Sequence, residues 1–116
     1  MNEYTDDELK QKLKVFSKEC NELMEMIERK KDIYTIQARY KNLKSAIRNE
    51  AHRCRLSSTY KNASEFEKNY YIKSLCEASA EGLLVSTNSI PNQEMFSAIH
   101  TCHYKLHKYF RFDENN

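Results

Sequence analysis

The chain has 116 residues, of which 40% are hydrophobic and 31% charged, with 19 Lys and Arg against 17 Asp and Glu. This size and balance predict one folded domain with its own core, and they exclude a disordered or membrane-embedded chain. The formal charge of only +2 predicts no strong attraction of the whole molecule to nucleic acid or anionic lipid. A single Gly and a single Pro are too few for a turn-rich β sandwich or barrel, so the composition favours long helices.

The first predicted helix covers about residues 6–28. It opens with the sequence TDDE from residue 5, which has the form of a capping box. Apolar residues then recur at alternating four- and three-residue steps, which places them on one face. They are Leu9, Leu13, Phe16, Cys20, Leu23 and Ile27. This heptad-like seam can pack against another helix of the same chain or against a second copy, so a homodimer is one alternative.

Residues 29–35 decide whether the helix continues or the chain turns. The next apolar seam begins at Ile36 and points nearly opposite to the first, and Asp32 or Thr35 can cap a new helix. We therefore predict a turn near residues 30–35 and an antiparallel helical hairpin. A continuous helix of about fifty residues that dimerises with itself is the alternative.

The second predicted helix, over about residues 35–56, carries two neighbouring stripes. The apolar stripe consists of Ile36, Tyr40, Leu43, Ile47, Ala51 and Cys54. The basic stripe beside it consists of Lys41, Lys44, Arg48, His52 and Arg55. Both follow helical spacing, so one edge of the helix can be buried while its neighbour presents a line of positive charge.

Two further helices are predicted, over about residues 64–84 and 91–110. The sequence SEFE from residue 64 forms a second capping box. Gly82 predicts either a helix end or a close helix crossing, and Pro91 suits the first turn of the fourth helix. The fold class is thus all-α. We expect a compact three- or four-helix bundle with an N-terminal antiparallel helical hairpin, with residues 1–116 forming a single domain.

The four cysteines lie far apart and form no C-x-x-C pair. Cys20, Cys54, Cys76 and Cys102 each fall on the apolar stripe of a different predicted helix, which favours core packing over metal binding. The first ten residues contain no secretion signal, so we expect a cytoplasmic protein whose thiols are reduced.

Three histidines share one face of the fourth predicted helix. Rings one turn apart, such as those of His100, His103 and His107, can hold a zinc ion, with His52 or Cys54 as a further ligand. The spacing matches no recognised zinc motif, so we favour no metal and no cofactor. The metal site is kept as an alternative.

Catalytic motifs that need several glycines, such as phosphate-binding loops, are missing from a chain with one Gly, and we expect no enzyme. We expect instead a small regulatory or inhibitory module that binds another protein. By analogy, the size and predicted shape fit a small inhibitor or immunity-type protein of a bacterium or phage.

Arg and Tyr are enriched at binding hot spots. The predicted interface is therefore the basic stripe of the second helix together with Tyr40, Tyr70 and Tyr71. The alternative partner is a nucleic acid, with the same cations along its phosphates and tyrosines such as Tyr34, Tyr40 and Tyr60 stacked on bases. No membrane partner is expected.

Overall fold

A computed structural model describes residues 6–56 and 70–108 of the chain. In these residues the chain forms four helices and no strand: α1 (Asp6–Glu28), α2 (Ile33–Arg55), α3 (Tyr70–Glu81) and α4 (Gln93–His107). Each helix packs against the next and α4 packs back against α1. Contacts between them show that α1 and α2 run antiparallel, as do α3 and α4. The predicted all-α bundle is confirmed, in its four-helix form.

A Schellman turn ends α1. The Lys31 N–H donates to the Met26 carbonyl at 3.0 Å and the Lys30 N–H donates to the Ile27 carbonyl at 3.1 Å. Lys30 adopts a left-handed backbone with φ of 53°, a conformation that usually falls to Gly. This turn reverses the chain direction without a Gly or a Pro. The antiparallel hairpin is therefore confirmed, and the alternative of one continuous helix is wrong.

Asp32 caps the start of α2. Its Oδ2 accepts hydrogen bonds from both the N–H and the hydroxyl of Thr35, each at 2.9 Å. Because Asp32 is the cap, α2 begins at Ile33, two residues before the predicted boundary. Thr35 lies inside the first turn and does not cap the helix.

The predicted apolar seams form the core. All six residues of the α2 stripe are buried, as are five of the six α1 seam residues, Leu9, Leu13, Phe16, Cys20 and Leu23. Ile27, the sixth, is partly buried. Five of the six seam residues are thus buried against helices of their own chain. A homodimer stays an alternative prediction.

The ends of α3 and α4 differ from the prediction. α3 ends at Glu81 rather than near residue 84, and α4 begins at Gln93 rather than at residue 91. The Asn92 Oδ1 accepts from the N–H groups of Glu94 and Met95, so Asn92 is the cap. Pro91 precedes the cap, and its placement in the first turn was wrong. α4 ends at His107, about three residues before the predicted end near residue 110. The predicted SEFE cap lies outside the described residues.

Gly82 lies where α3 crosses α4. A Cβ atom at this position would lie 2.6 Å from the Cys102 Cβ and 2.7 Å from the Cys102 Cα. The next residue, Leu83, adopts a left-handed backbone with φ of 55°, and its N–H donates to the Ala98 carbonyl of α4 at 3.2 Å. Both predicted explanations of this Gly hold, since it follows the last helical residue and it permits close approach.

All four thiols are free. Cys20, Cys54 and Cys102 are buried, and Cys76 is half-buried. Burial, and then the neighbouring Cys76, raise the pKa of Cys54 to about 12. A hydrogen bond with Cys102, followed by burial, raises the pKa of Cys20 above its ordinary value. The prediction that the cysteines are core residues is confirmed.

Arg39 joins α2 to α1. Its guanidinium donates to Glu19 through Nε at 3.0 Å and Nη2 at 2.7 Å, and Nη2 also donates to Glu22 at 2.6 Å. The Met26 sulfur lies 3.4 Å from Nη1. Bidentate contacts of this kind are the stronger class of partly exposed ion pair.

We expect Arg39→Met to lower the free energy of unfolding by about 1 kcal/mol, because it removes the paired contact with Glu19 and leaves the α1 carboxylates without their cation. Chemical denaturation measures this change. Arg29→Met is the matched control, since Arg29 forms only an exposed pair with Glu25 at 3.3 Å. Equal effects of the two substitutions would show that Arg39 has no special role in joining the helices.

We expect Gly82→Ala to lower the free energy of unfolding by about 1–3 kcal/mol, because α3 and α4 must separate to admit the methyl group. This cost exceeds the gain of about 0.4–1 kcal/mol from restricting the unfolded chain. Ala80→Leu, at an exposed α3 position, should change stability by less than about 0.5 kcal/mol. Unchanged or raised stability of Gly82→Ala would contradict the tight crossing.

Candidate functional site

Two lysines, two arginines and one histidine follow one edge of α2. We call this set the basic edge: Lys41, Lys44, Arg48, His52 and Arg55. Lys44 is half-buried and the other four are exposed. The basic edge lies directly beside the buried stripe, as the sequence predicted. From Lys41 to Arg55 it extends for about 21 Å at the rise of an α-helix.

Three side chains of α2 form hydrogen bonds with the segment that follows α3. The buried Tyr40 hydroxyl donates to the Val85 carbonyl at 2.7 Å, and the Lys44 ammonium donates to the same oxygen at 3.3 Å. Gln37 donates to the Ser89 carbonyl at 2.9 Å. These contacts place the basic edge on the side of α2 that borders α3.

The acidic residues of α3 face the other way, towards α4. Glu77 lies 3.1 Å from the Lys108 ammonium and 3.5 Å from that of Lys105. Glu81 lies 3.3 Å from the Lys105 ammonium. Within residues 6–56 and 70–108, no carboxylate forms an ion pair with a cation of the basic edge.

The remaining arginines of α2 contrast with the basic edge. Arg39 pairs with Glu19 and Glu22, and Arg53 lies 3.9 Å from Glu8. These residues lie on the α1 side of α2, where the hairpin brings acidic side chains of α1 close to them. The fold therefore neutralises one side of α2 and leaves the other side positive.

Neighbouring charge affects the half-buried lysine of the basic edge. Burial, and then repulsion by Arg48, lower the pKa of Lys44 from its ordinary value. The ammonium form of Lys44 is thus disfavoured both by loss of water and by its cationic neighbour. An anionic group bound beside these two residues would relieve that repulsion.

The three predicted interface tyrosines differ in their exposure. Tyr40 is completely buried, so its place on a partner-binding surface was wrong. Tyr71 is half-buried against the core. Tyr70 is 52% exposed, and the Lys73 ammonium lies 5.7 Å from its ring centre. Only Tyr70 among the three presents much of its ring to solvent.

Tyr34 lies on the same edge of α2, two helical turns before Lys41. Its side chain is 79% exposed. Helical spacing aligns Tyr34 with Lys41. Tyr34 was not among the predicted interface residues and was named only as a base-stacking residue for a nucleic-acid partner. The other tyrosine considered for base stacking, Tyr60, lies outside the described residues.

The histidines of α4 do not converge on a common point. His100 is exposed, whereas the rings of His103 and His107 lie 4.5 Å apart, centre to centre. The His107 Nε2 lies 2.7 Å from the Ser17 Oγ, which joins α4 to α1. In the part of the chain that the structure describes, no three His, Cys, Asp or Glu side chains are placed to hold a metal ion.

His52 and Cys54, the further ligands considered, belong to α2. That helix lies diagonally across the bundle from α4. Cys54 is buried, and His52 is exposed on the basic edge. The arrangement therefore does not bring either residue to the α4 histidines.

None of the helices in residues 6–56 and 70–108 combines the length and apolar character needed to cross a membrane. The chain matches no protein-family model, no curated protein and no solved structure. The charge distribution and the shape of the described residues are therefore the observations that bear on function.

We expect Tyr40→Phe to reduce the loss of stability at alkaline pH. Burial raises the pKa of Tyr40 from 10.0 to about 12. Because the folded value lies above the unfolded value, its contribution is fully present below pH 10 and is lost as the pH rises through about 12. Urea unfolding from pH 8 to pH 12 measures the effect.

At neutral pH the same substitution should cost about 1 kcal/mol, because the hydrogen bond to the Val85 carbonyl is lost. Tyr104→Phe, at a position that is 56% exposed, is the matched control and should change neither quantity. If wild type and Tyr40→Phe lose stability in parallel between pH 10 and pH 12, Tyr40 does not titrate as proposed.

Proposed function

We propose that the chain is a small regulatory or inhibitory module that binds an acidic surface of another protein through the basic edge of α2. The observation that carries the proposal is a line of basic side chains, four of them exposed, that form no ion pair with an acidic residue in the described part of the chain. The acids of α1 and α3 instead pair with cations elsewhere on the bundle. An acidic partner would supply the missing counter-charges.

The residue types of the basic edge suit a protein interface. Arg48 and Arg55 can each donate two parallel hydrogen bonds to one carboxylate, a geometry that gives both affinity and register. Tyr34 adds an exposed ring at the start of the same edge, and Tyr70 adds one on α3. Arg and Tyr are the residue types that most often dominate binding energy.

A protein partner is favoured over a nucleic acid because the charge of the whole chain is only +2. A nucleic-acid-binding surface gains most of its affinity from neutralising many phosphates, and long-range attraction needs a larger excess of positive charge. A single line of cations about 21 Å long fits an acidic helix or strand of another protein.

We propose that the chain binds its partner without catalysing a reaction and that it is a cytoplasmic protein. Guanidinium and ammonium groups supply charge and hydrogen-bond donors, which serve recognition. Four free thiols, three of them buried, are typical of a reducing compartment. The free thiols therefore support the proposed cytoplasmic location.

Charge reversal tests the basic edge. We expect Arg48→Glu combined with Arg55→Glu to weaken partner binding at least tenfold, about 1.4 kcal/mol, because attraction becomes repulsion. The matched control is Lys18→Glu with Arg29→Glu, which makes the same change in net charge at exposed positions of α1 and the following turn. Proteins captured from lysate by wild type and by each variant are quantified by mass spectrometry, and the affinity of the partner is then measured by calorimetry.

A partner that binds the Arg48 and Arg55 variant as tightly as the control variant would remove the basic edge from the interface. Binding of an RNA or DNA oligonucleotide that falls steeply with salt and is lost only in the Arg48 and Arg55 variant would assign the edge to nucleic acid instead.

A further inference from the structure

A pocket lies at the end of the bundle where the α1–α2 turn meets the start of α4. Its volume is about 560 Å³, within the range of sites that bind small molecules. The partly buried side chains of Ile27 and Phe96 line it, with the buried Ile36 behind them. Ile33, which is 47% exposed, lines it as well. None of the residues of the basic edge contributes to this pocket.

Four hydrogen-bonded features lie in the walls of the pocket or next to them. The Schellman turn at Lys30 reverses the chain tightly after α1, and the Asp32 cap starts α2 at once. On the opposite wall, the Asn92 cap fixes the first turn of α4. The contact of Gln37 with the Ser89 carbonyl holds the preceding loop against α2. The walls therefore belong to elements that are hydrogen-bonded in place.

The charges around the pocket are mainly positive. Lys30 and Lys31 line it, and Glu28 is the one acidic side chain among its lining residues. In the described residues neither lysine forms an ion pair. The pocket thus combines an apolar wall with two ammonium groups, and a complementary molecule has an apolar part and an anionic head.

We propose that this pocket binds a small amphipathic anion, a molecule with an apolar chain or ring that carries one acid group. The apolar part packs on Ile27, Ile33 and Phe96, where it removes exposed apolar surface from water. The acid group lies between Lys30 and Lys31, each of which donates a charge-assisted hydrogen bond to it. The site is separate from the basic edge, so either proposal can fail without the other.

The probe is decanoate, titrated below its micelle concentration into ¹⁵N-labelled protein and followed by NMR. Decanol tests the need for the acid group because it has the same chain, and butyrate tests the need for the chain. We expect saturable shifts of the amide signals of Ile33, Ile36 and Phe96 with decanoate, and binding at least fivefold weaker with either of the other probes.

Variants test the two parts of the pocket separately. Lys30→Gln with Lys31→Gln should weaken decanoate binding about fivefold and leave decanol binding unchanged, since two exposed ion pairs are lost. Lys14→Gln with Lys18→Gln removes the same number of charges on α1, outside the pocket, and is the matched control. Ile33→Ser should weaken the binding of both probes, whereas Val15→Ser, at a similarly exposed apolar residue of α1, should weaken neither.

Three results would overturn the proposal. The first is the lack of saturable shifts at the pocket residues with decanoate. The second is equal affinity for decanoate and decanol. The third is equal decanoate affinity of the Lys30 and Lys31 variant and of the Lys14 and Lys18 control, because then the two ammonium groups do not bind the acid head. Thermal unfolding of each variant shows that a loss of binding is not a loss of fold.

Discussion

At Gly82 the backbone of α3 approaches α4 so closely that any side chain there would meet the Cα and Cβ of Cys102. The Leu83 N–H then bonds to the Ala98 carbonyl of α4, so the chain leaves α3 in one fixed direction. That direction brings the Val85 carbonyl to the Tyr40 hydroxyl and the Lys44 ammonium of α2. The close crossing thus sets how α3 lies against both of its neighbours.

The charge distribution of the bundle depends on this placement. With α3 held against α4 at Gly82, Glu77 and Glu81 lie next to Lys105 and Lys108. On the other side of the hairpin, Arg39 and Arg53 take the acidic residues of α1. A chain whose charges nearly balance overall therefore carries a line of cations on the edge of α2 that borders α3. Local segregation of charge, rather than net charge, is what distinguishes this surface.

The two proposed sites use different physics. The basic edge is a row of basic side chains, four of them exposed, suited to a large partner that brings its own acidic groups and excludes water from the contact. The pocket at the α1–α2 turn is concave and partly apolar, suited to a molecule small enough to enter it. The basic edge is formed by the middle and end of α2. The pocket is formed by the turn between α1 and α2, the beginning of α2 and the start of α4.

Periodicity and capping chemistry determined the helices of this protein. The alternation of three- and four-residue steps identified every buried residue of α2, because a helix with one apolar stripe can bury it in only one way. The change of seam direction and Asp32 located the turn before α2. The prediction that Pro91 lies in the first turn of α4 was wrong. The Asn92 side chain accepts hydrogen bonds from the first N–H groups of α4, so the helix begins after Asn92.

Only the tertiary structure decided which neighbours those helices meet. The sequence identified the basic stripe but could not say that Glu77 and Glu81 turn towards α4, because ion pairs between helices depend on rotation and register across the bundle. It placed Tyr40 both in the core and at an interface, and only packing could choose between them. The pocket beside Lys30 and Lys31 likewise arises where two turns meet that are distant in sequence, and local residue preferences carry no information about such a meeting.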